Sequence, residues 1–555
     1  QLSYREVTEK DGSATITTDR RIGTYNTSNV LTTSGYNALG QLLKYEDTIS
    51  SADNLTAAKI SSDLKVEFNA SAYTDAYDDH GRLQHYSEVK TELDLTGLSV
   101  TTTERLGIGY DAATNQMTDY QDYTSKTESL PVYTNRASMD YNTVGQLVYY
   151  KETTENKDKT NAYSSNLKTY SIFGVNSTDD IDPTGNLVGT QTDAVYDNYG
   201  RLKSYAEVRR QVDTDDPLRL NVRTLISRAG YGNTASIEYD NTTGQMIKYS
   251  EVVTKDGSAT ITTDRRIGTY DASGVLTASG YNSLGQLIKY QDTIDSAASV
   301  DNVRVKFTAD PANGYDSLGR LQHYSEVRYE LADALTNTTE RNNITYDSTT
   351  GRMTYYLDTL TSNATMDLKT YVAFGATNIT LNNADRTVNT VTKSTPSYDN
   401  LGRLNDYREA RRQIDVTGLA NLNVQSIIHR KGYNNTTDIG YDIYGRQLSY
   451  REVTEKDGSA TITTDRRIGT YNASNVLTAT GYNALGQLLK YEDTIDSSAD
   501  NQTSAKVSSD LKVQFDATAY TDAYDSNGRL YHYSEIKTEL DLTALSVTTT
   551  ERLGI

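Results

Sequence analysis

The chain repeats itself, and that limits its fold more than any other feature. Tyr4 to Tyr25, YREVTEKDGSATITTDRRIGTY, returns unchanged at Tyr450 to Tyr471 and nearly unchanged at Tyr249 to Tyr270. The offsets are 245 residues from Tyr4 to Tyr249 and 201 from Tyr249 to Tyr450, giving a higher-order period of 446. The third copy follows the first more closely than the second, so the order is A, B, A: residues 1-245, 246-446 and 447-555. Both ends cut through a repeat, so the chain reads as a segment of a longer polypeptide, without independent globular domains. Copy B lacks a counterpart of the unit at Tyr141. A series that tolerates the loss of a unit is one in which each repeat contacts mainly its neighbours.

Inside each copy lies a shorter unit: Tyr-Asp/Asn, two or three residues, Gly, Arg/Gln, Leu/Met, two residues, Tyr, one residue, Asp/Glu. Its starts are roughly 31 to 55 residues apart. Representative positions are Tyr36, Gly40, Tyr45 and Asp47; Tyr77, Gly81, Tyr86 and Glu88; Tyr196, Gly200, Tyr205 and Glu207; Tyr315, Gly319, Tyr324 and Glu326; Tyr398, Gly402, Tyr407 and Glu409; Tyr524, Gly528, Tyr533 and Glu535. An Asp or Asn that bonds its own backbone two residues on, followed by a Gly that accepts positive φ, makes YDxxG a turn. Around Gly81, Leu83, His85, Ser87 and Val89 alternate with Gln84, Tyr86 and Glu88, the two-residue period of a strand. Two long strands per unit follow, with further turns at the KDGS sequences of Lys10–Ser13, Lys255–Ser258 and Lys456–Ser459. Shortened forms from Tyr25 and Tyr270 suggest an elementary step nearer half the unit spacing. One unit has too little apolar surface to stand alone, so units must stack edge to edge. The expected class is all-β: tandem hairpins stacked into one continuous spiral sheet, in the form of a solenoid, tube or shell.

The sequence YDDHGRL at Tyr77, with YDNYGRL at Tyr196, YDSLGRL at Tyr315, YDNLGRL at Tyr398 and YDSNGRL at Tyr524, resembles the YD repeat of RHS proteins, Tc-toxin shell components and teneurins. The resemblance implies a spiral sheet of hairpins, secreted or at the cell surface, in some members a cocoon around a toxic C-terminal segment. The nearest match to the family's self-cleavage motif is Ile181-Asp182-Pro183-Thr184-Gly185-Asn186-Leu187, embedded in further repeats. Asp182 therefore reads as a turn residue.

Composition sharpens the functional reading. Cysteine and tryptophan are absent, there are 5 Phe against 45 Tyr, and 54 basic against 74 acidic residues leave a formal net charge of -20. Thiol chemistry and disulfides are excluded. The acidic balance disfavours sequence-independent nucleic-acid binding, and no apolar run is long enough for a membrane span. The recurring Tyr and acid could form a carboxylate row binding calcium; the competing reading pairs each acid with Arg or Lys on a neighbouring strand. His85, His323 and His532 share one unit position and read as strand-surface residues. No nucleophile elbow, zinc pair or phosphate loop occurs, so no catalytic, metal or cofactor-binding residue is assigned and the chain is expected not to be an enzyme. N-x-S/T sequences at Asn26, Asn54, Asn176, Asn241, Asn363 and Asn472 would admit glycans. The leading expectation is a structural protein of a fibre, tube or sheath, extracellular or at the cell surface, whose partners are further copies of the same repeat. The alternatives are a wall segment of a toxin-encapsulating shell and a surface adhesion or carbohydrate-binding module.

Overall fold

In the computed structural model, residues 2–9, 14–53, 63–94, 99–127, 129–160, 164–297, 302–330, 335–363, 368–382, 385–416, 422–498, 510–540 and 546–553 are described. The Lys10–Ser13 turn and Asn54 lie outside them. Among the described residues the architecture is all-β, with 41 strands, 33 of them in one sheet. Long strands succeed one another as an antiparallel meander, beginning Ser3–Glu9, Ala14–Tyr25, Lys44–Asp53, Leu64–Asn69, Tyr86–Glu92 and Ser99–Tyr110. This wall crosses both copy boundaries unbroken. Asn221–Ala229 pairs with Met246–Lys255, and Asn423–Lys431 pairs with Gln447–Lys456.

Each unit supplies two wall strands joined by the turns expected of it. Asp78 Oδ1 accepts the N–H groups of His80 at 3.0 Å and Arg82 at 2.8 Å. Gly40, Gly81, Gly200, Gly319, Gly402 and Gly528 all have φ between +77° and +80°, where a side chain would be strained. The KDGS turns close by Ser258 N–H to the Lys255 carbonyl at 3.0 Å and Ser459 N–H to the Lys456 carbonyl at 3.1 Å. The shortened units add no wall step. They form small ribbons at the wall's edge, such as Thr269–Tyr270 with Leu276–Ala278, so the elementary step is the full unit.

Accessory hairpins cover part of the face opposite the repeated tyrosines. Ile181, from the ribbon Asp180–Ile181 with Leu187–Val188, packs with Ile172, Val208 and Leu225. Ile379, from Ala376–Leu381 with Val388–Lys393, packs with Ala373, Ala410 and Ile414. Asp182 closes its ribbon's turn by accepting the N–H groups of Thr184 and Asn186, each at 2.9 Å, as expected of a turn residue.

The wall coils. Register advances by two residues over each pair of strands: Tyr45 stands opposite Phe68, but Phe68 stands opposite Glu88, two residues beyond Tyr86. One residue of stagger per strand is the ratio at which barrel strands tilt by about 36°. After 227 to 231 residues the sheet meets itself without closing. The Tyr444 hydroxyl donates to Asp213 Oδ2, Arg446 reaches the Arg219 carbonyl, and Gln487 Nε2 donates to the Gly257 carbonyl at 3.2 Å.

Copy B shows what a meander can lose. Copy A runs Ser99–Tyr110, Met117–Lys126, Val132–Tyr141, Leu147–Lys157; copy B runs Leu335–Tyr346 directly into Met353–Ser362. Two strands are gone together, which preserves strand direction. Deleting residues 110–140 should therefore leave the β circular-dichroism signature intact and move the thermal midpoint by no more than about 4 °C. Deleting the single strand 117–126 should abolish the cooperative melt, because all later strands would then meet the wall in the wrong direction.

Candidate functional site

The repeated residues converge on two structures: a ladder across one face of the wall and a row of hooks along its edge. In each unit the strand leaving the YD turn carries the second tyrosine, and the partner strand carries either arginine or phenylalanine. These residues follow one another strand by strand. Directly opposed pairs include Tyr4 with Arg20, Tyr45 with Phe68, Tyr86 with Arg105, Tyr150 with Phe173, Tyr205 with Arg228, Tyr324 with Arg341, Tyr407 with Arg430 and Tyr533 with Arg552. Every one of the 5 phenylalanines lies between two tyrosine rings, as Phe307 does at 4.9 Å from Tyr290 and 5.3 Å from Tyr324. The arginines lie over tyrosine faces: Arg20 is 4.0 Å from Tyr45 and Arg341 is 3.7 Å from Tyr356. Such contacts contribute about 0.5–1.5 kcal/mol for a ring pair and about 0.5–2 kcal/mol for a cation on a ring.

The acid of each unit faces its rung. At arginine rungs it takes both guanidinium nitrogens: Asp47 with Arg20 at 2.6 and 2.5 Å, Asp292 with Arg265 at 2.7 and 2.6 Å, and Asp358 with Arg341 at 2.7 Å twice. At phenylalanine rungs the opposed residue offers no charge, and the acid turns to a cation two residues on in its own strand. Glu88 pairs with Lys90 at 2.9 Å, Glu409 with Arg411 at 2.6 Å and Glu535 with Lys537 at 3.0 Å, and Glu207 pairs with Arg209. Glu326 also faces Phe307, but Arg328, two residues on, pairs with Glu330 at 4.0 Å. Cross-strand pairing of the acid thus holds at the arginine rungs, Glu452 with Arg430 among them, while Glu88, Glu207, Glu409 and Glu535 at phenylalanine rungs use their own strand.

The first tyrosine of a unit is a hook into the preceding unit. The Tyr77 hydroxyl donates to the Leu42 carbonyl at 2.5 Å, Tyr196 to Leu147 at 2.6 Å, Tyr315 to Leu287 at 2.5 Å, Tyr398 to Met353 at 2.5 Å and Tyr524 to Leu488 at 2.6 Å. The acceptor is always the residue two beyond the preceding unit's Gly. Tyr36 forms the corresponding backbone bridge of its own turn with Leu42. The Arg after Gly fixes the hook twice: Arg82 binds Asp78 of its own turn at 2.7 Å and lies 4.7 Å over Tyr110, the next hook. Arg201, Arg320 and Arg403 repeat this over Tyr239, Tyr346 and Tyr441. Where Asn replaces Asp, Gln replaces Arg, and Asn282 Nδ2 donates to Gln286 Oε1 at 2.6 Å.

His85 is 8% exposed, which corrects the strand-surface reading. Its ring nitrogens meet Asp75 at 2.9 Å and Glu104 at 2.8 Å, the ring stacks 3.7 Å from Tyr73, and Lys159 pairs with Glu104 at 2.5 Å. His532 repeats this with Asp522, Glu551 and Tyr520. With a carboxylate at each ring nitrogen, His85 and His532 each tie a turn to a neighbouring strand. A cavity of about 690 Å³ lies beside the Val388–Lys393 strand, lined by His323, Asn343, Tyr355 and Lys393 among others. Among the described residues no helix is long and apolar enough to cross a membrane. The chain matches no family model and no curated protein.

The rungs missed from the sequence were the arginines and phenylalanines. The available signal was that the five phenylalanines fall in two recurring patterns, LKVEF, VRVKF and LKVQF on the one hand and LKTYSIF and LKTYVAF on the other. Two outcomes test the ladder. Arg265→Ala strands the Asp292 carboxylate, itself 5% exposed, and should cost about 3–5 kcal/mol in urea denaturation. Arg265→Phe with Asp292→Glu and Ile294→Lys converts the rung to the other type, with a cation two residues beyond the acid, and should recover most of that loss. The second test is alkaline titration. Burial raises the hydroxyl pKa of Tyr77, Tyr196, Tyr315, Tyr398 and Tyr524, and pushes Tyr482 up to about 12. The unfolded chain ionises near pH 10, so this stabilisation is complete below pH 10 and is lost as pH rises through the folded values. Tyrosinate absorbance of the hooks, uncomplicated by tryptophan, should appear only together with loss of β structure; ionisation of all 45 tyrosines with the fold intact would contradict it.

Proposed function

We propose that this chain is a wall segment of a non-enzymatic structural protein akin to the YD-repeat family, building a fibre, tube or sheath outside the cell or on its surface. Its partners are further copies of the same repeat. One observation carries the reading: the seam at which the turn Lys255–Ser258 of one circuit supports the tip around Leu485 and Gln487 of the next. A wall that meets itself through its own repeated turns can lengthen without any new kind of contact.

Two features favour a scaffold over an adhesion module. The ladder tyrosines are packed between rungs rather than displayed together as a platform for sugars. The carboxylates that might have held calcium are taken up by guanidinium and ammonium groups. The supporting measurement is electron microscopy of the chain beside a version extended by one further 446-residue period. Particles should keep one diameter and lengthen in proportion to the number of periods. Strings of separate beads, or closed particles of fixed size, would rule the reading out.

A further inference from the structure

The three copies serve as controls for one another, and on the face opposite the tyrosine ladder they differ in charge. In the first copy Arg21, Glu46 and Glu67 stand opposite one another on three successive strands, with Lys65 two residues before Glu67. Two cations converge there on one carboxylate: Arg21 reaches Glu46 Oε1 at 2.6 Å and Lys65 reaches Oε2 at 2.9 Å. The third copy repeats this at Glu492 with Arg467 and Lys512, and adds a second pair, Lys490 with Asp516 at 2.6 Å. Each guanidinium also has an amide acceptor, Asn29 at 2.9 Å from Arg21 and Asn475 at 2.8 Å from Arg467.

The second copy keeps the cations and loses their acceptors. Gln291 stands at the place of Glu46 and Glu492, Thr308 at that of Asp516, and Gly274 at that of Asn29 and Asn475. Lys306 takes the place of Glu67. Positions 266, 289, 291, 304, 306 and 308 thus hold four cations and no acid, where their equivalents in the first and third copies hold three cations and two acids. Among the described residues none of the four, Arg266, Lys289, Arg304 and Lys306, is in an ion pair, and the Nε atoms of both arginines are buried with no hydrogen-bond partner. Asp264, two residues from Arg266 on its strand, is occupied by the Gly232 N–H at 3.0 Å and by the Ser250 hydroxyl. Nothing lies within 4 Å of a Cβ placed on Gly274, so the position of the missing amide is open. The patch lies mid-coil: seam partners are 227 to 231 residues apart, and residues that far before and after 266–308 all belong to the chain.

We propose that this patch of the second copy binds an organic dicarboxylate. One carboxylate enters between Arg266 and Arg304, where the other copies place a glutamate head, and the second reaches Lys289, where the third copy places Asp516. Glu492 stands opposite Gln514, so Asp516 is its diagonal neighbour, about 7–8 Å away. A ligand with two carboxylates a few carbon atoms apart spans that interval, and the guanidinium forks fix its first carboxylate through paired hydrogen bonds. Lys306 adds a fourth charge at the exposed rim. The chain as a whole, at net charge -20, repels such an anion, so the patch gathers it to the second copy. The same two carboxylates arrive either on a free small molecule or on acidic side chains of a second copy of this chain, and the test separates these sources.

Calorimetric titration of the full chain at low salt should show adipate binding with a stoichiometry of one, acetate binding about tenfold or more weakly, and loss of adipate binding as salt is raised. Gln291→Glu installs the carboxylate that the other copies carry and should abolish the binding with circular dichroism unchanged. Glu492→Gln with Asp516→Thr removes both acids from the third copy and should raise the stoichiometry to two. Sedimentation of the protein alone identifies the source. A monomer that binds adipate takes a free ligand; a self-associated chain that Gln291→Glu or adipate returns to monomer takes carboxylates of its own kind. If the Gln291→Glu variant binds adipate as tightly as the parent chain, or if acetate binds as tightly as adipate, the proposal is overturned.

Discussion

The structure depends on a tyrosine ring held between a partner on each side, repeated strand after strand. Tyrosine suits the task because its ring accepts either a phenyl group or a guanidinium on its face, while its hydroxyl can stay hydrated at the rim of a wall one sheet thick. Arginine suits the alternate rung for a related reason: its flat fork stacks on the ring and still presents two donors to the acid on the next strand. Each arginine rung therefore joins three consecutive strands, as Arg20 on its own strand links that of Tyr4 to the one carrying Tyr45 and Asp47. A phenylalanine rung joins its neighbours by ring contact alone, and its acid finds a cation along its own strand. The two rung types have the same footprint, so they alternate irregularly without disturbing the register.

The hook row governs spacing where the ladder governs face. Each Tyr hydroxyl-to-carbonyl bond contributes about 1 kcal/mol net and also fixes which residue of one unit lies beside which residue of the last. The turn is built around that bond. Asp with Arg, or Asn with Gln, closes the loop, and the Arg then covers the following hook. Where Asp stands with Gln instead, as Asp240 does with Gln245, its Oδ1 accepts the N–H groups of Thr242 and Thr243 and the Thr243 hydroxyl.

The parts legible in the sequence were those encoded within one strand or one turn. YDxxG announced its turn through two local rules, and the alternation around Gly81 announced a strand. The rungs were hidden because their partners lie on other strands, across connections whose lengths vary from unit to unit. Nothing local to Arg105 says that Tyr86 stands opposite it. His85 was misread for a related reason, since Glu104 reaches it from the next strand and Asp75 from the preceding turn. The shortened units misled in another way. They have the turn chemistry of full units but lack the strand that would carry a rung, so they end at the wall's edge.

The seam relates the sequence period to the coil. Copy offsets of 245 and 201 residues bracket the 227 to 231 residues that separate seam partners, so each copy makes roughly one circuit and unlike copies face each other across the seam. Asp213 of the longer copy lies under Tyr444 of the shorter, and Gly257 of the shorter copy lies under Leu485 of the next longer one. That arrangement resists slippage, to which a wall of identical units is prone. Sliding by one unit would put Leu485 where Tyr444 stands, and Asp213, 2% exposed, would lose its phenol donor in a place water does not reach. A buried carboxylate short of one hydrogen bond costs about 1–3 kcal/mol or more, enough to favour the native register by about tenfold or better at a single seam contact.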